Sequence, residues 1–320
     1  MSRAKSTTPS GISTQSIIWA AIAWAALALM FYLFLSAPTD GPHTVGIKSD
    51  ECRDTVKESI VVVKNLIVRP NWYRYGTYIF QTVAIVCSGL LCLRNWRSPK
   101  IISGRNVWLG LGLGIISWGI GNLIFGYLDF QYQSGLIAGG ARGARDLVKT
   151  FPSIADIFFT ATYVFLSWGM AMSVIGRRLN LYPKQWAIVG AVGFVGIGLA
   201  AYVTFAVGGG FTLDTGKILN IVYVLGDIWL LIVATILLLA FWGGKAAQSW
   251  RLLGSAGISM FFSDLWFNYS INISDICRAK PYQSGEPAEF FWILAFLLWG
   301  MAAALEFDLS SRPTTRSRKG

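Results

Sequence analysis

The chain has 320 residues, of which 54% are hydrophobic and only 13% charged, with a formal net charge of +11. A soluble domain carries about twice that charged fraction, so a soluble globular fold is excluded. The basic excess does not point to nucleic acid, because it gathers on one side of a membrane in the topology that follows.

Eight apolar runs of roughly 17 to 25 residues are long enough to cross a ~30 Å hydrocarbon core. They lie at 16–36, 76–93, 107–127, 154–175, 186–207, 218–242, 251–270 and 289–306. Lipid offers the backbone no hydrogen-bond partner, so each run must be a helix. The expected fold is an all-α polytopic bundle of eight transmembrane helices. With both termini on one side, that side holds fifteen Lys and Arg against one acid, Asp308. The other side holds twelve against eleven Asp and Glu. Positive charge stays in the cytoplasm, which sets the N- and C-termini inside. On this reading the basic charges orient the chain and meet anionic lipid heads.

Residues 1–36 form a tail and a first span. Its apolar run, Ile17 to Leu35, exceeds the roughly 7–15 residues of a signal-peptide core, so it reads as a signal anchor. Residues 37–75 form an outer cap segment. Within it, Ile60-Val61-Val62-Val63-Lys64-Asn65-Leu66-Ile67-Val68 looks amphipathic and is expected to be an ordered cap or short helix. Asn71-Trp72-Tyr73 reads as an interfacial aromatic belt leading into span two.

Residues 76–306 form a seven-span core. Span three is rich in glycine, and Gly110-Leu-Gly-Leu-Gly114 superficially resembles a dinucleotide loop. It lacks the strand–turn–helix setting that such a loop needs. Close packing through small residues is the expected role, as for Gly190, Gly193, Gly196 and Gly198 of span five. Asn122, deep in span three, needs a partner for its amide. The outer segment from Asp129 to Phe151 reads as a lid or a short helix lying on the membrane. Residues 307–320 form a basic tail.

Carboxylates inside spans carry the functional signal, because a charge near the bilayer centre costs several kcal/mol unless solvated or paired. Ser153 and Asp156, just after Pro152, have the spacing of a capping box at the start of span four. Asp156, Thr160, Tyr163 and Ser167 then fall on one helical stripe. Span six carries Asn220, Tyr223 and Asp227, and span seven carries Ser263, Asp264 and Asn268. Asp227 lies too deep for capping to explain it. No Lys or Arg lies mid-span to neutralise these acids, so at least one is expected to be protonated, metal-bound or opposite a bound cation. Asp156, Asp227 and Asp264 are expected to converge on one polar pocket in the outer half, with Asn122 and Tyr223 in support.

Other chemistries find no residues. The sole histidine, His43, lies outside the membrane, so histidine-ligated haem or pigment within the bilayer is excluded. There is no H-E-x-x-H zinc motif and no Ser–His pair in the spans. No mid-span lysine is present for a retinal Schiff base. Cys87 and Cys92 sit in apolar span two, whereas Cys52 and Cys277 both fall outside and are expected to form a disulfide.

The motifs Pro152-Ser153-Ile154-Ala155-Asp156 with Phe158-Phe159, Tyr223-Val-Leu-Gly226-Asp227, and Ser263-Asp264-Leu-Trp-Phe resemble a multi-span membrane region found ahead of GGDEF and EAL signalling domains in many bacteria. The likeness covers roughly residues 76–306. It implies a sensory input region in a bacterial inner or photosynthetic membrane, with an unidentified ligand. Here only Phe307 to Gly320 follow the last span, with no output domain, and an extra span and cap precede the region. The expected protein is therefore a non-enzymatic, stand-alone sensor-like or accessory subunit docking with another membrane protein. The alternative is a proton- or cation-coupled transporter using the same aspartates, with a broken helix near the site. The sequence assigns no cofactor.

Overall fold

A computed structural model describes residues 13–36, 42–47, 61–137, 152–175, 179, 181–208, 210, 215–242, 248–274 and 282–312. Among them, α1 is Thr14–Leu35, β1 Pro42–Ile47, β2 Val61–Ile67, α2 Asn71–Arg97, α3 Arg105–Ile137 and α4 Ile154–Val174. Then follow α5 Pro183–Ala201 with a π-helical turn Tyr202–Val207, α6 Thr215–Ala240, α7 Gln248–Ile273, and α8 Phe290–Ser311 after a 3₁₀ turn Pro287–Glu289. Each long helix coincides with one apolar run of the sequence.

Seven of these helices are long and apolar enough to cross a membrane. The eighth, α7, matches α6 at 26 residues, about 39 Å, but Ser259, Asp264, Asn268 and Asn272 lower its hydropathy. It packs most extensively on α6 and α8.

Cross-links fix how the helices run. Ser117 of α3 bonds Phe158 of α4, and Gly110 meets Gly169, so these two helices are antiparallel. Gln81 and Asn95 of α2 reach Glu289 and Ala303 in the same order, so α2 and α8 are parallel. One end of the bundle therefore carries Arg94, Arg97, Arg105, Arg251 and Arg312, and is called the basic end. The opposite end carries the strands, Glu289 and the starts of α4 and α6.

The α3–α4 pair has the largest helix–helix contact in the bundle. The cause is glycine on both backbones. A Cβ on Gly110 would sit 2.7 Å from Gly169 Cα, and one on Gly169 would sit 2.8 Å from Leu111 N. Span five differs from its sequence reading. Gly196 does meet Leu231, but nothing lies within 4 Å of a Cβ at Gly190 or Gly198. Those two glycines bring no helices together.

The cap segment also differs. Val61–Ile67 is a strand paired antiparallel with Pro42–Ile47, with an irregularity between His43 and Val45. The β-branched run Val61-Val62-Val63 favours extended backbone, and its partner strand satisfies the backbone groups a helix would have bonded internally. Helix α2 begins at Asn71, so the presumed belt residues Trp72 and Tyr73 are its first turn. Helix α3 continues past the predicted span to Ile137. Asp129 on that extension pairs with Arg74 of α2 at 2.7 Å, and the Arg74 guanidinium lies 4.1 Å from the Phe130 ring centroid. Arg74 is 1% exposed, so this pair clamps α2 to α3 from the inside. Cys52 and Cys277 lie outside the described residues. Cys87 and Cys92 are free thiols.

Candidate functional site

Two of the three aspartates meet. Tyr163 of α4 donates its hydroxyl to Asp227 Oδ1 of α6 at 2.7 Å and stands 3.1 Å from Asp264 Oδ2 of α7. Trp292 of α8 donates its indole N–H to Asp264 Oδ1 at 2.8 Å. Four helices thus supply one buried cluster, with Asp227 7% and Asp264 8% exposed. The depths agree: Asp227 lies about 18 Å along α6 from Thr215, and Asp264 about 14 Å from Ile273. No hydrogen bond or ion pair joins either carboxyl to a Lys or Arg among the described residues.

The hydrogen count matters here. A phenol carries one hydrogen, and it serves two carboxyl groups. The hydrogen is divided between the two in a three-centre bond, and a proton on a carboxyl oxygen or a cation between the oxygens would complete the second contact. Gly226 makes the arrangement possible. A Cβ there would overlap the Tyr163 ring, so the Gly226-Asp227 pair lets the ring lie flush against α6.

Asp156 takes a different place. Its Oδ2 accepts the Ser153 backbone N–H at 2.6 Å and the Ser153 hydroxyl at 2.9 Å. It therefore holds the first turn of α4, as the capping spacing suggests. Its Oδ1 accepts from the Tyr223 hydroxyl at 2.8 Å, and the Tyr223 ring stacks on Tyr163 with centroids 5.6 Å apart. Asp156 is thus joined to the aspartate pair through two stacked tyrosines rather than by sharing its pocket. Asn122 makes no hydrogen bond to these groups. Its Nδ2 is buried without a partner among the described residues, on the α3 face that also carries Trp118.

A polar seam runs from the pair toward the opposite end. Asn220 of α6 donates to Asn268 Oδ1 at 3.1 Å, and Asn272 donates to the same oxygen at 2.9 Å. Asn268 donates to Thr204 Oγ1 in the π-helical turn. Lys217 donates to the Thr204 and Gly208 carbonyls that this turn leaves open. Toward the basic end the same interface is closed. Leu230, Ala234, Met170 and Met260 are buried there, and a Cβ on Gly257 would meet Ala234 Cβ at 2.9 Å.

The sequence reading left three elements of this end unassigned. Tyr163 was placed on the polar stripe but given no role. Trp292 and Glu289 carry no role in it, yet Glu289 is 3% exposed. It accepts from Tyr282 at 2.8 Å, from the Gly285 N–H at 2.8 Å and from Gln81 at 3.1 Å. Burial and the adjacent carboxylate push the Tyr282 phenol well above its ordinary value, so it remains a donor. Gln81, an amide inside span two, was the available signal. At the basic end, Glu306 likewise accepts from the Ser103 N–H and the Ser249 hydroxyl, both at 3.1 Å.

No protein-family model, no curated protein and no solved structure matches the chain.

Proposed function

We propose that the chain is a non-enzymatic, sensor-like or accessory membrane protein whose ligand site is the Asp227–Tyr163–Asp264 cluster. It takes a proton or a small cation from the side where α4 and α6 begin. One observation carries this reading: two buried carboxyl groups share one phenol hydrogen at the foot of a polar seam that stops there. A seam polar toward one end and closed by apolar packing toward the other suits binding and reporting rather than passage. The likeness to sensory regions of GGDEF and EAL proteins points the same way. The partner would be another membrane protein of a bacterial membrane.

Binding that favours the native state by [L]/Kd of 100 adds about 2.7 kcal/mol to stability. Thermal unfolding of the purified protein is therefore expected to shift upward with Na⁺, K⁺ or methylammonium, or to show proton uptake where none of these binds. Asp227→Asn should fold yet lose that response, because the amide keeps a hydrogen bond but no charge. Equal responses in both proteins would remove the cluster from consideration.

The transporter reading retains one supporting observation, the π-helical turn Tyr202–Val207 against α7. Such turns mark sites of local rearrangement in helices. Uptake of the same cation into vesicles would favour it.

We further propose that α7 is a span, giving eight, with both termini in the cytoplasm by the charge bias. A cysteine added after Gly320 should then resist membrane-impermeant labelling from outside. Labelling there would invert or break this topology.

A further inference from the structure

A cation with N–H groups unsatisfied among the described residues lies at the basic end of the bundle. Arg94 sits in the last turn of α2. Its guanidinium lies 3.9 Å from the centroid of the Phe307 ring, which covers one face. Its Nε and Nη2 are buried with no hydrogen-bond partner among the described residues. These two nitrogens share one edge of the guanidinium, the fork that fits a carboxylate or phosphate with two parallel bonds. The helix dipole explains a cation in this turn. It does not explain two N–H groups sealed from water with no acceptor.

Among the described residues no side-chain carboxylate at this end is left for it. The segments expected at this end, 1–15, 94–106, 176–185, 243–250 and 307–320, contain one acid, Asp308. Asp308 pairs with Arg312 at 2.6 Å. The nearby span residue Glu306 has both oxygens occupied by Ser103 and Ser249. Among the described residues no acceptor meets the fork, and one supplied from outside the chain would satisfy it.

The surface leading to Arg94 identifies its source. Ile79, Val83, Val86 and Leu90 are 57%, 38%, 47% and 60% exposed, and they fall with Arg94 on one face of α2. This apolar strip runs about 22 Å along the helix to Arg94, the length of an acyl chain laid beside it. We propose that the Arg94 fork binds a phosphate group, carried by the headgroup of an anionic phospholipid whose chain lies along that strip. Arg97, one turn on, and Lys100 beyond it add positive potential without forming the fork. The site is separate from the aspartate cluster and does not depend on its role.

The test uses the full chain in detergent, with retained lipid counted by native mass spectrometry and thermal midpoints read in parallel. The additions are phosphatidylglycerol, phosphatidylcholine and inorganic phosphate. The wild type is expected to keep one phosphatidylglycerol and to gain stability from it, with less phosphatidylcholine retained because its choline cation offsets the phosphate charge. Arg94→Gln should lower phosphatidylglycerol retention to the phosphatidylcholine level, whereas Arg97→Gln, which removes potential but not the fork, should lower it far less. If Arg94→Gln does not fold, Arg94→Lys answers the question: it keeps the charge but not the fork, and should also lose retention. A midpoint shift with inorganic phosphate alone would keep the phosphate site and assign it to a soluble anion. Equal retention of the two lipids with no effect of phosphate, or undiminished retention in both Arg94 variants, would overturn the proposal.

Discussion

Replacing Glu289 with Ala is expected to destabilise the protein by roughly 3–5 kcal/mol, since each buried donor left without an acceptor costs about 1–3 kcal/mol. Four donors converge on this carboxylate: the Tyr282 hydroxyl, the Gly285 and Glu286 N–H groups and the Gln81 amide. They come from the turn before α8 and from α2. Glu289 thus fastens the loop entering α8 to a neighbouring helix, at the end where water is being excluded. The turn itself is tightly drawn. Gly285 has φ +104°, and a side chain there would meet the Tyr73 ring at 2.5 Å. Tyr73 donates its hydroxyl to the Gly285 carbonyl at 2.7 Å, and Arg69 donates to the carbonyls of Gln283 and Ser284. Glu289→Gln should cost less, because one amide oxygen still accepts, although its amide nitrogen would face the Gln81 donor. Unfolding in a denaturing detergent series gives the measurement. A loss below about 1 kcal/mol for the Ala variant would mean that water takes over the carboxylate's contacts.

The architecture was legible in the chain because one variable decides it. Apolar run length sets where helices can cross, and each of the eight runs lies in a long helix, with ends within about five residues except at α3, which continues ten residues past its run to Ile137. Depth along a helix was legible for the same reason, so Asp227 and Asp264 fell at comparable levels. The identity of their partner was not. Tyr163 lies in a third helix, and only the α4–α6 approach at Gly226 brings its hydroxyl between the two carboxyls. The capping spacing of Ser153 and Asp156 was readable, and the local bond formed. What spacing could not reveal is that the remaining oxygen of Asp156 would meet Tyr223. The cap segment misled because the adjacent polar pair Lys64-Asn65 interrupts the apolar run Ile60 to Val68 and gives it an amphipathic look. The valine run carried the better signal, but the choice depends on a partner strand nineteen residues upstream by the Val61–Pro42 interval. Glu289 escaped notice because a carboxylate at a span boundary ordinarily meets water. Here a tight turn folds over it.

Tyr163→Phe is expected to destabilise the bundle by about 2–4 kcal/mol, close to the full penalty of leaving two buried acceptors without their donor. The substitution leaves packing in place. The ring still lies on Gly226 and stacks on Tyr223, so no cavity forms. What disappears is the one hydrogen that both carboxyls use. Asp264 keeps its Trp292 donor, while Asp227 has no other side-chain donor among the described residues. The loss should therefore fall mainly on Asp227, and a second change can test this. Asp227→Asn supplies an N–H toward Asp264 and removes one of two like-charged groups. In the Tyr163→Phe background it should recover much of the lost stability, although alone it changes stability little. A double-mutant cycle of unfolding free energies measures the coupling, expected between about 0.5 and 3 kcal/mol for residues in one hydrogen-bond network. Strictly additive effects would show that Tyr163 acts on each carboxyl separately. The shared-hydrogen account of the site would then fail, and with it the reason for assigning a proton or cation to this pair.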